Sequence, residues 1–262
     1  MPNPNRGKRQ YLFSLLCNFF VAKASNRLNT KEMKKLKTLL LAALLMAGAV
    51  IAKAEVQDRH LSGFNAVNAS GSYDIYITQG STESVKVDAP ADMISNIITE
   101  VKGGVLKIHP KSNNYYWNND KKVTIYVTLI NVNEVNVGGS GNVYFKNGLK
   151  APSLKLGVGG SGDIQGKIEV KELMSSVMGS GDINIAGRAD VASISVSGSG
   201  DFNAQDLATG STKIRVSGSA SARVNVNDNL DAAVTGSGDI HYTGTVKNIS
   251  SHQSGSGSIS RM

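Results

Sequence analysis

Cysteine is nearly absent from this 262-residue chain, which contains only Cys17. Because Cys17 lies in an N-terminal leader that we expect to be removed, the mature chain forms no disulfide and has no cysteine for lipid attachment. Aromatic residues make up only 6% of the chain, and there is a single tryptophan. Stability therefore has to come from backbone hydrogen bonds and a continuous core of modest apolar side chains.

Residue sets typical of catalysis are also scarce. The four histidines, His60, His109, His241 and His252, have no paired spacing for zinc. The many serines never form the Gly-x-Ser-x-Gly elbow of a hydrolase. We expect no catalytic residue; the alternative is a small β-helical protein that binds or degrades polysaccharide through carboxylates on an exposed sheet.

The formal charge of +8 is concentrated at one end of the chain. Residues 1–54 hold ten Lys or Arg against the single acid Glu32, whereas the rest has 18 basic and 19 acidic residues, a net charge of −1. The part expected to fold thus gives no electrostatic reason to predict a nucleic-acid partner.

The basic leader has the pattern of a secretory signal peptide in residues 33–54. Lysines 34, 35 and 37 precede an apolar run from Leu39 to Ile51, and small residues lead to a cleavage site after Ala54. The run is short for a membrane span, although a retained anchor is the alternative. Met33 suggests the true start, which would make residues 1–32 an upstream extension. We expect an exported protein of the periplasm, outer-membrane surface or extracellular space, with no span in the mature chain.

Residues 138–262 contain seven copies of a Gly-Ser-Gly turn followed by a small polar residue, the fifth of them degenerate. The turns are Gly139–Asn142, Gly160–Asp163, Gly179–Asp182, Gly198–Asp201, Gly218–Ser221, Gly236–Asp239 and Gly255–Ser258. Successive turns are 18 to 21 residues apart, and a period of this kind is typical of a solenoid. We predict an all-β, parallel β-helix-like solenoid with coils of about 19 residues.

Alternation within each repeat predicts which side chains face the core. Ile194 and Val196 share one parity with the turn glycines Gly198 and Gly200, whereas the serines and Asp201 have the other parity. We therefore expect both glycines to face inward, where the chain bends or approaches the next coil, and Ser and Asp to face outward.

Residues 55–137 form a less repetitive, β-rich region. Alternating apolar residues predict several half-buried strands, and residues 92–99 favour a short helix behind Pro90. The segment from Ser70 to Ile75 looks like an early, enlarged repeat. We expect this region to continue the solenoid or to cap it, although a separate sandwich is left open.

Two motifs together resemble a known family. Phe64-x-x-Val67 and the segment from Gly71 to Ile75 come before the run of Gly-Ser-Gly-Asp-Ile repeats. This order resembles the putative autotransporter adhesin family with the head GIN domain over about residues 61–262. The resemblance implies a secreted, β-helix-like envelope protein with an adhesive role.

The most regular candidate site is the outward column of Asp163, Asp182, Asp201 and Asp239. Carboxylates stacked at about 4.8 Å repel one another unless a cation or a hydrogen-bond donor intervenes. Structural calcium is one interpretation. The spacing differs from calcium-binding roll repeats, however, and Ser221 breaks the column, so we favour the alternative that each Asp caps its own turn and expect no cofactor.

A second candidate site is the asparagine-rich loop that contains Tyr115, Tyr116 and Trp117. Aromatic rings surrounded by amides suit a sugar, because the rings pack on its C–H groups while amides bond its hydroxyls. The alternative is a hairpin tip folded back on the sheet. The partners expected overall are an envelope or cell-surface component, with a glycan as one candidate, and a second copy of the chain at the open solenoid end.

Overall fold

The computed structural model describes residues 54–112 and 122–262, and there the regular structure is almost entirely β-strand. The strands before the repeats are β1 (Ala54–Asp58), β2 (Ala66–Gly71), β3 (Asp74–Gln79), β4 (Ser84–Pro90), β5 (Ile97–Lys102), β6 (Val105–Pro110), β7 (Thr124–Leu129), β8 (Glu134–Gly139) and β9 (Asn142–Phe145). The remaining strands are β10 (Leu149–Gly160), β11 (Ile164–Gly179), β12 (Ile183–Gly198), β13 (Phe202–Gly218), β14 (Ser221–Gly236), β15 (Asp239–Thr243), β16 (Asn248–Gly255) and β17 (Ile259–Arg261).

The repeats form a parallel β-solenoid, as the sequence predicts. Each long strand pairs in parallel with the strand one coil earlier, and the turn glycines align, so that Gly179 pairs with Gly198. Ile194 and Val196 are buried, and the serines between and after them are exposed. Alternation in the sequence therefore gives the correct orientation of the strand side chains.

The alternation of buried and exposed residues is interrupted between the segment of each long strand that follows a turn and the segment that leads into the next turn. These two segments of each coil present two outer faces. In β11 the alternation is interrupted where Lys171 and Glu172 are both exposed. We call the surface made by strand segments that lead into the turns the first face, and the surface made by segments that follow the turns the second face. The buried residues of both segments fill the space between the faces.

The solenoid begins before the recognisable repeats. Strand β2 pairs in parallel with β8, with Gly71 opposite Gly139, and β3 pairs in parallel with β9, with Asp74 opposite Asn142. The Ser140 N–H donates to the Gly71 carbonyl oxygen over 3.0 Å. The segment from Ser70 to Ile75 is thus a turn of the same stack, and the described residues belong to one compact unit.

Antiparallel strands cover the first coil. On the first face β6 pairs in parallel with β2 and antiparallel with β5. On the second face β7 pairs in parallel with β3, β4 pairs antiparallel with β7, and β1 pairs antiparallel with β4.

The expected helix at residues 92–99 is wrong: only a 3-10 turn, Ile94–Asn96, forms there. Ile97, Ile98 and Thr99 are β-branched and pair with β6 instead.

The two glycines of each turn occupy different environments, which corrects the expectation that both face inward. The second glycine is buried, as at Gly181 and Gly200, whereas the first is partly exposed and has a positive φ, +116° at Gly198. A Cβ atom at Gly139 would lie 2.7 Å from the Gly71 carbonyl oxygen, and one at Gly200 would overlap the Gly181 carbonyl. In six of the seven turns both positions are glycine, because successive coils touch there through their backbones; Ala220 takes the second position in the degenerate turn.

The other end of the described stack is formed by β16 and β17. All eight residues of β16 are exposed, and β16 pairs only with β14 among the described strands. The positions stacked on buried Ala232 and Val234 are here Ser251 and Gln253. Polar residues at core-facing positions suit a terminal coil. Self-association at this end stays a prediction.

Two neighbouring glycines test the contact between turns. Gly139→Ala is expected to lower the free energy of unfolding by about 3 kcal/mol, because it combines a positive φ with a backbone overlap. Gly138→Ala is the matched control: its Cβ would have no neighbour nearer than 3.8 Å, so a change within about 0.5 kcal/mol is expected. Urea unfolding of both variants measures the difference. Equal stabilities would contradict the role assigned to the turn.

Candidate functional site

Carboxylate and amide side chains that follow the turns connect one coil to the next. Asp163 Oδ1 accepts the backbone N–H of Asp182 over 2.9 Å, and Asp182 Oδ1 accepts that of Asp201 over 2.8 Å. Asn142 Oδ1 accepts the N–H of Asp163 over 3.1 Å, and Asp201 Oδ1 accepts that of Ser221 over 2.8 Å. We call this column of Asn and Asp side chains the Asx ladder.

The ladder corrects the expectation that each Asp caps its own turn. The N–H groups within a turn already have acceptors in the preceding coil: Ser180 and Gly181 both donate to the Gly160 carbonyl oxygen, over 2.8 and 3.0 Å. The next available donor is the N–H of the equivalent residue one coil further along the stack. That donor lies between successive carboxylates and offsets their mutual repulsion.

Ser221 interrupts the ladder, as its sequence predicts, because serine has no carboxylate to accept the next N–H. Asp239 N–H donates instead to the Ala220 carbonyl oxygen over 3.1 Å. The ladder resumes at Asp239, whose Oδ1 accepts both the hydroxyl and the N–H of Ser258, over 2.6 and 2.8 Å. The hydroxyl bond first, and then the backbone bond, lower the pKa of Asp239.

The calcium interpretation needs several oxygen ligands around one point. Within residues 54–112 and 122–262, no group of three or more His, Cys, Asp or Glu side chains is arranged to hold a metal ion. Asp163, Asp182, Asp201 and Asp239 instead lie in a line, and the Oδ1 of each accepts a backbone N–H.

The predicted sugar-binding residues Tyr115, Tyr116 and Trp117 lie outside the described residues, so that interpretation stays a prediction. The structure instead brings together three other tyrosines that the sequence reasoning did not single out as a site. Tyr126, Tyr76 and Tyr144 occupy matching positions on β7, β3 and β9. In the sequence each of these tyrosines lies between two apolar residues that face inward, which indicates that the tyrosine faces outward. The sequence does not show that β3 lies between β7 and β9, which is what brings the three rings together.

These three side chains form the tyrosine row on the second face. The ring centroids of Tyr76 and Tyr126 are 5.7 Å apart and those of Tyr76 and Tyr144 are 5.1 Å apart, with both pairs stacked. Lys146 Nζ lies 4.1 Å from the centre of the Tyr76 ring. Because the rings face one another, their edges are directed toward solvent, and Tyr126 is 43% exposed.

The row continues along the stack with amides. Gln165 is the register partner of Tyr144, Asn184 of Gln165, and Asn203 of Asn184. We call these three residues the amide row. Together the two rows place one hydrogen-bonding side chain on each of six neighbouring strands, about 5 Å apart.

Histidine and serine meet at one place without forming a catalytic set. His241 Nδ1 lies 2.9 Å from Ser260 Oγ. The nearby Asp239 carboxylate bonds Ser258 rather than the imidazole. A serine nucleophile needs a base that a third group orients, and the described contacts place no carboxylate in that role.

Two grooves run across the coils near the positions where the alternation is interrupted. One, of about 480 Å³, is mostly apolar and is flanked by Val191 and Ile249, which are 51% and 50% exposed, with Lys213 also in its lining. The other, of about 440 Å³, is more polar and contains Asp190 and Asp228. Asp228 pairs with Lys247 over 2.6 Å and Asp190 with Arg188 over 3.5 Å.

Family comparison matches this architecture. The model of the family described as "Putative auto-transporter adhesin, head GIN domain" matches residues 63–260. The chain belongs to this family. The matched region contains the tyrosine row, the amide row and the Asx ladder, so all three are features of the head GIN domain in this chain. No curated protein matches the chain.

Solved structures from Bacteroides and Parabacteroides share the fold. The chain is similar to an adhesin, named as putative, from Bacteroides fragilis, with 26% identity and a TM-score of 0.77 over 80% of this chain and 97% of the other. It is also similar to a Parabacteroides distasonis protein described as a putative lipid binding protein, with 28% identity and a TM-score of 0.67 over 81% and 98%. A third solved structure, an adhesin from Parabacteroides merdae that is likewise named as putative, is similar to the chain in fold alone. It is 21% identical, with a TM-score of 0.62 over 81% of this chain and 97% of the other.

The predicted leader lies outside the described residues, so the signal peptide stays a prediction. Cleavage after Ala54 would remove only the first residue of β1 from the fold. In the part of the chain that the structure describes, no helix has the length and apolar character needed to cross a membrane.

Asp182 tests the Asx ladder. Asp182→Ala is expected to lower the free energy of unfolding by about 1 to 2 kcal/mol, because the Asp201 N–H loses its acceptor. Asp182→Asn keeps an Oδ1 acceptor, as Asn142 does naturally in the first repeat, and is expected to be nearly neutral. Urea unfolding compares the two, and a loss as large for Asn as for Ala would contradict the assignment.

Acid is expected to weaken the last coil. The pKa of Asp239 is lowered on folding, so its contribution to stability is present above the unfolded value, about 4, and is lost as the pH falls through the folded value. Thermal unfolding between pH 6 and pH 2 should therefore show a smaller loss for Asp239→Asn than for the parent chain. Parallel curves for the two proteins would contradict this linkage.

Proposed function

We propose that the protein is exported to the cell envelope and acts there as a non-catalytic recognition scaffold, an adhesin. Membership of the adhesin family supports the proposal, and so does the predicted leader. The observation that carries it is the division of the molecule: apolar side chains fill the space between the faces, whereas repeated polar side chains cover both outer faces. In such a molecule the repeated groups that can bind a partner are the polar side chains on its surface.

The arrangement of the polar groups favours binding over catalysis. Carboxylates of the Asx ladder are used in bonds between coils, and those in the polar groove pair with cations. A catalytic carboxyl must reach the substrate with a hydrogen bond, whereas these carboxylates already bond protein groups. This supports a scaffold without turnover.

A second candidate is a polysaccharide-acting enzyme that uses Asp190 and Asp228. The observation in its favour is that both carboxylates line one groove, as a pair of catalytic acids would. Their pairing with Arg188 and Lys247 argues against the acid role, so this candidate ranks second.

The apolar groove supports a third possibility, the binding of an amphiphile. Val191 and Ile249 offer apolar contacts, and Lys213 offers a positive charge for an anionic headgroup. The similar Parabacteroides distasonis protein is described as a putative lipid binding protein. The groove is open and small beside the two faces, so this candidate also ranks below recognition at the envelope.

One experiment separates binding from turnover. Purified full-length protein is incubated with bacterial cells and with isolated envelope material, and bound protein is measured while released reducing ends are counted. Saturable attachment without released sugar is expected. The Gly139→Ala variant, with its weakened fold, controls for nonspecific adhesion. Release of reducing ends that Asp190→Asn and Asp228→Asn abolish would favour the enzyme; absence of attachment would refute the scaffold.

A further inference from the structure

Within the part of the chain that the structure describes, the exposed aromatic residues are concentrated on one face. Phe64, Tyr73, Phe145 and Phe202 are buried, and the described aromatic residues that are not buried are Tyr76, Tyr126, Tyr144 and Tyr242. Three of these four form the tyrosine row. The second face therefore has a chemical character that the first face lacks.

The tyrosine and amide rows are aligned along the stack. Each presents a phenol hydroxyl or a carboxamide, groups that both donate and accept hydrogen bonds. Their separation equals the strand spacing, about 5 Å, which is close to the length of one sugar ring in an extended polysaccharide. A chain of sugars laid along the stack would meet an equivalent polar group at each successive ring.

The charges on the second face decide which polysaccharide fits. Beside the amide row run the carboxylates Asp163, Asp182 and Asp201, two residues earlier on each coil. They would repel an anionic polymer, but a carboxylate oxygen can accept the hydroxyls of a neutral sugar. Positive charges lie at the two ends of the rows: Lys146 lies over Tyr76, Lys86 is the register partner of Tyr126, and Arg223 is the register partner of Asn203. Lys122 pairs with Asp74 over 2.9 Å. Because the face has carboxylates along its middle and cations at its ends, an ionic polymer laid along the stack meets like charge at one of them, whereas an uncharged, hydroxyl-rich chain does not.

A protein partner fits this face less well. Protein interfaces usually bury aromatic or aliphatic anchors at their centre. Here the ring faces of the tyrosines stack on one another, and Lys146 lies over Tyr76. What remains accessible is a line of ring edges, hydroxyls and amides.

We propose that the tyrosine and amide rows of the second face bind a neutral polysaccharide that lies along the solenoid stack. This inference deepens the proposed scaffold function and rests on it. Because β-strands hold the six side chains in register, the site is organised before binding, which reduces the entropy lost when a ligand binds.

Hydroxyl removal without loss of the rings gives a sharp test. In the double variant Tyr76→Phe with Tyr144→Phe, stacking and stability are expected to persist, whereas affinity should fall by about threefold to tenfold for each lost hydroxyl. Gln165→Ala with Asn184→Ala should weaken binding similarly. Ser195→Ala with Ser197→Ala, exposed on the first face of β12, is the matched control and should bind as the parent does.

Calorimetric titration of the full chain with dextran, mannan, arabinoxylan and anionic alginate measures these effects, and thermal unfolding verifies the fold of each variant. Binding to at least one neutral polymer, with losses confined to second-face variants, is the expected result. Tighter binding to alginate, no binding to any neutral polymer, or unchanged affinity in the second-face variants would overturn the proposal.

Cell attachment separates this proposal from the function on which it rests. If the second-face variants attach to cells as the parent does, the polysaccharide site fails and the scaffold function stands. If the parent itself does not attach, the scaffold function fails. Undiminished attachment of the parent after periodate oxidation of surface sugars would indicate a protein partner and would also overturn the site.

Discussion

Direct backbone contact between successive turns is the constraint on which the rest of the structure depends. The Gly160 carbonyl oxygen accepts the N–H groups of both Ser180 and Gly181, and a Cβ at Gly179 or Gly181 would overlap the backbone of the preceding turn. Because the turns must lie directly above one another, variation in coil length has to be absorbed elsewhere. The coil between Ser199 and Ser219 has one residue more than its predecessor, and the register shift lies between Asn184 and Gly187 on the neighbouring strand, outside the turns.

The same constraint fixes the position of the Asx side chains. Once a turn's own N–H groups bond the preceding coil, each Asp meets the N–H of the following one, and a column of carboxylates becomes a set of links between coils. Ser221 shows that the linkage is local, because the backbone provides another acceptor at Ala220 and the ladder resumes at Asp239. Repulsion between the carboxylates is thus offset where it arises.

Periodicity and alternation were sufficient to predict the solenoid, its coil length and the burial of Ile194 and Val196, since all three features follow from local geometry. The direction of the Asp bonds could not be predicted, because the same sequence permits a cap within a turn or between turns. The tyrosine row was also inaccessible: β3 lies between β7 and β9, while β4, β5 and β6 are diverted into the cap. That order depends on contacts between residues about 50 and 68 positions apart.

Because the coils stack, substitutions are restricted more strongly at inward positions than at outward positions. A substitution at an inward position affects close-packed neighbours in the coils before and after it, and stacked inward positions can hold the same residue, as at Val177, Val196 and Val216. Outward positions such as Gln165 and Asn184 are exposed or partly exposed. Side chains on the second face can therefore change one coil at a time without disturbing the turns. In a fold built this way, specificity is expected in rows of side chains rather than in a single pocket.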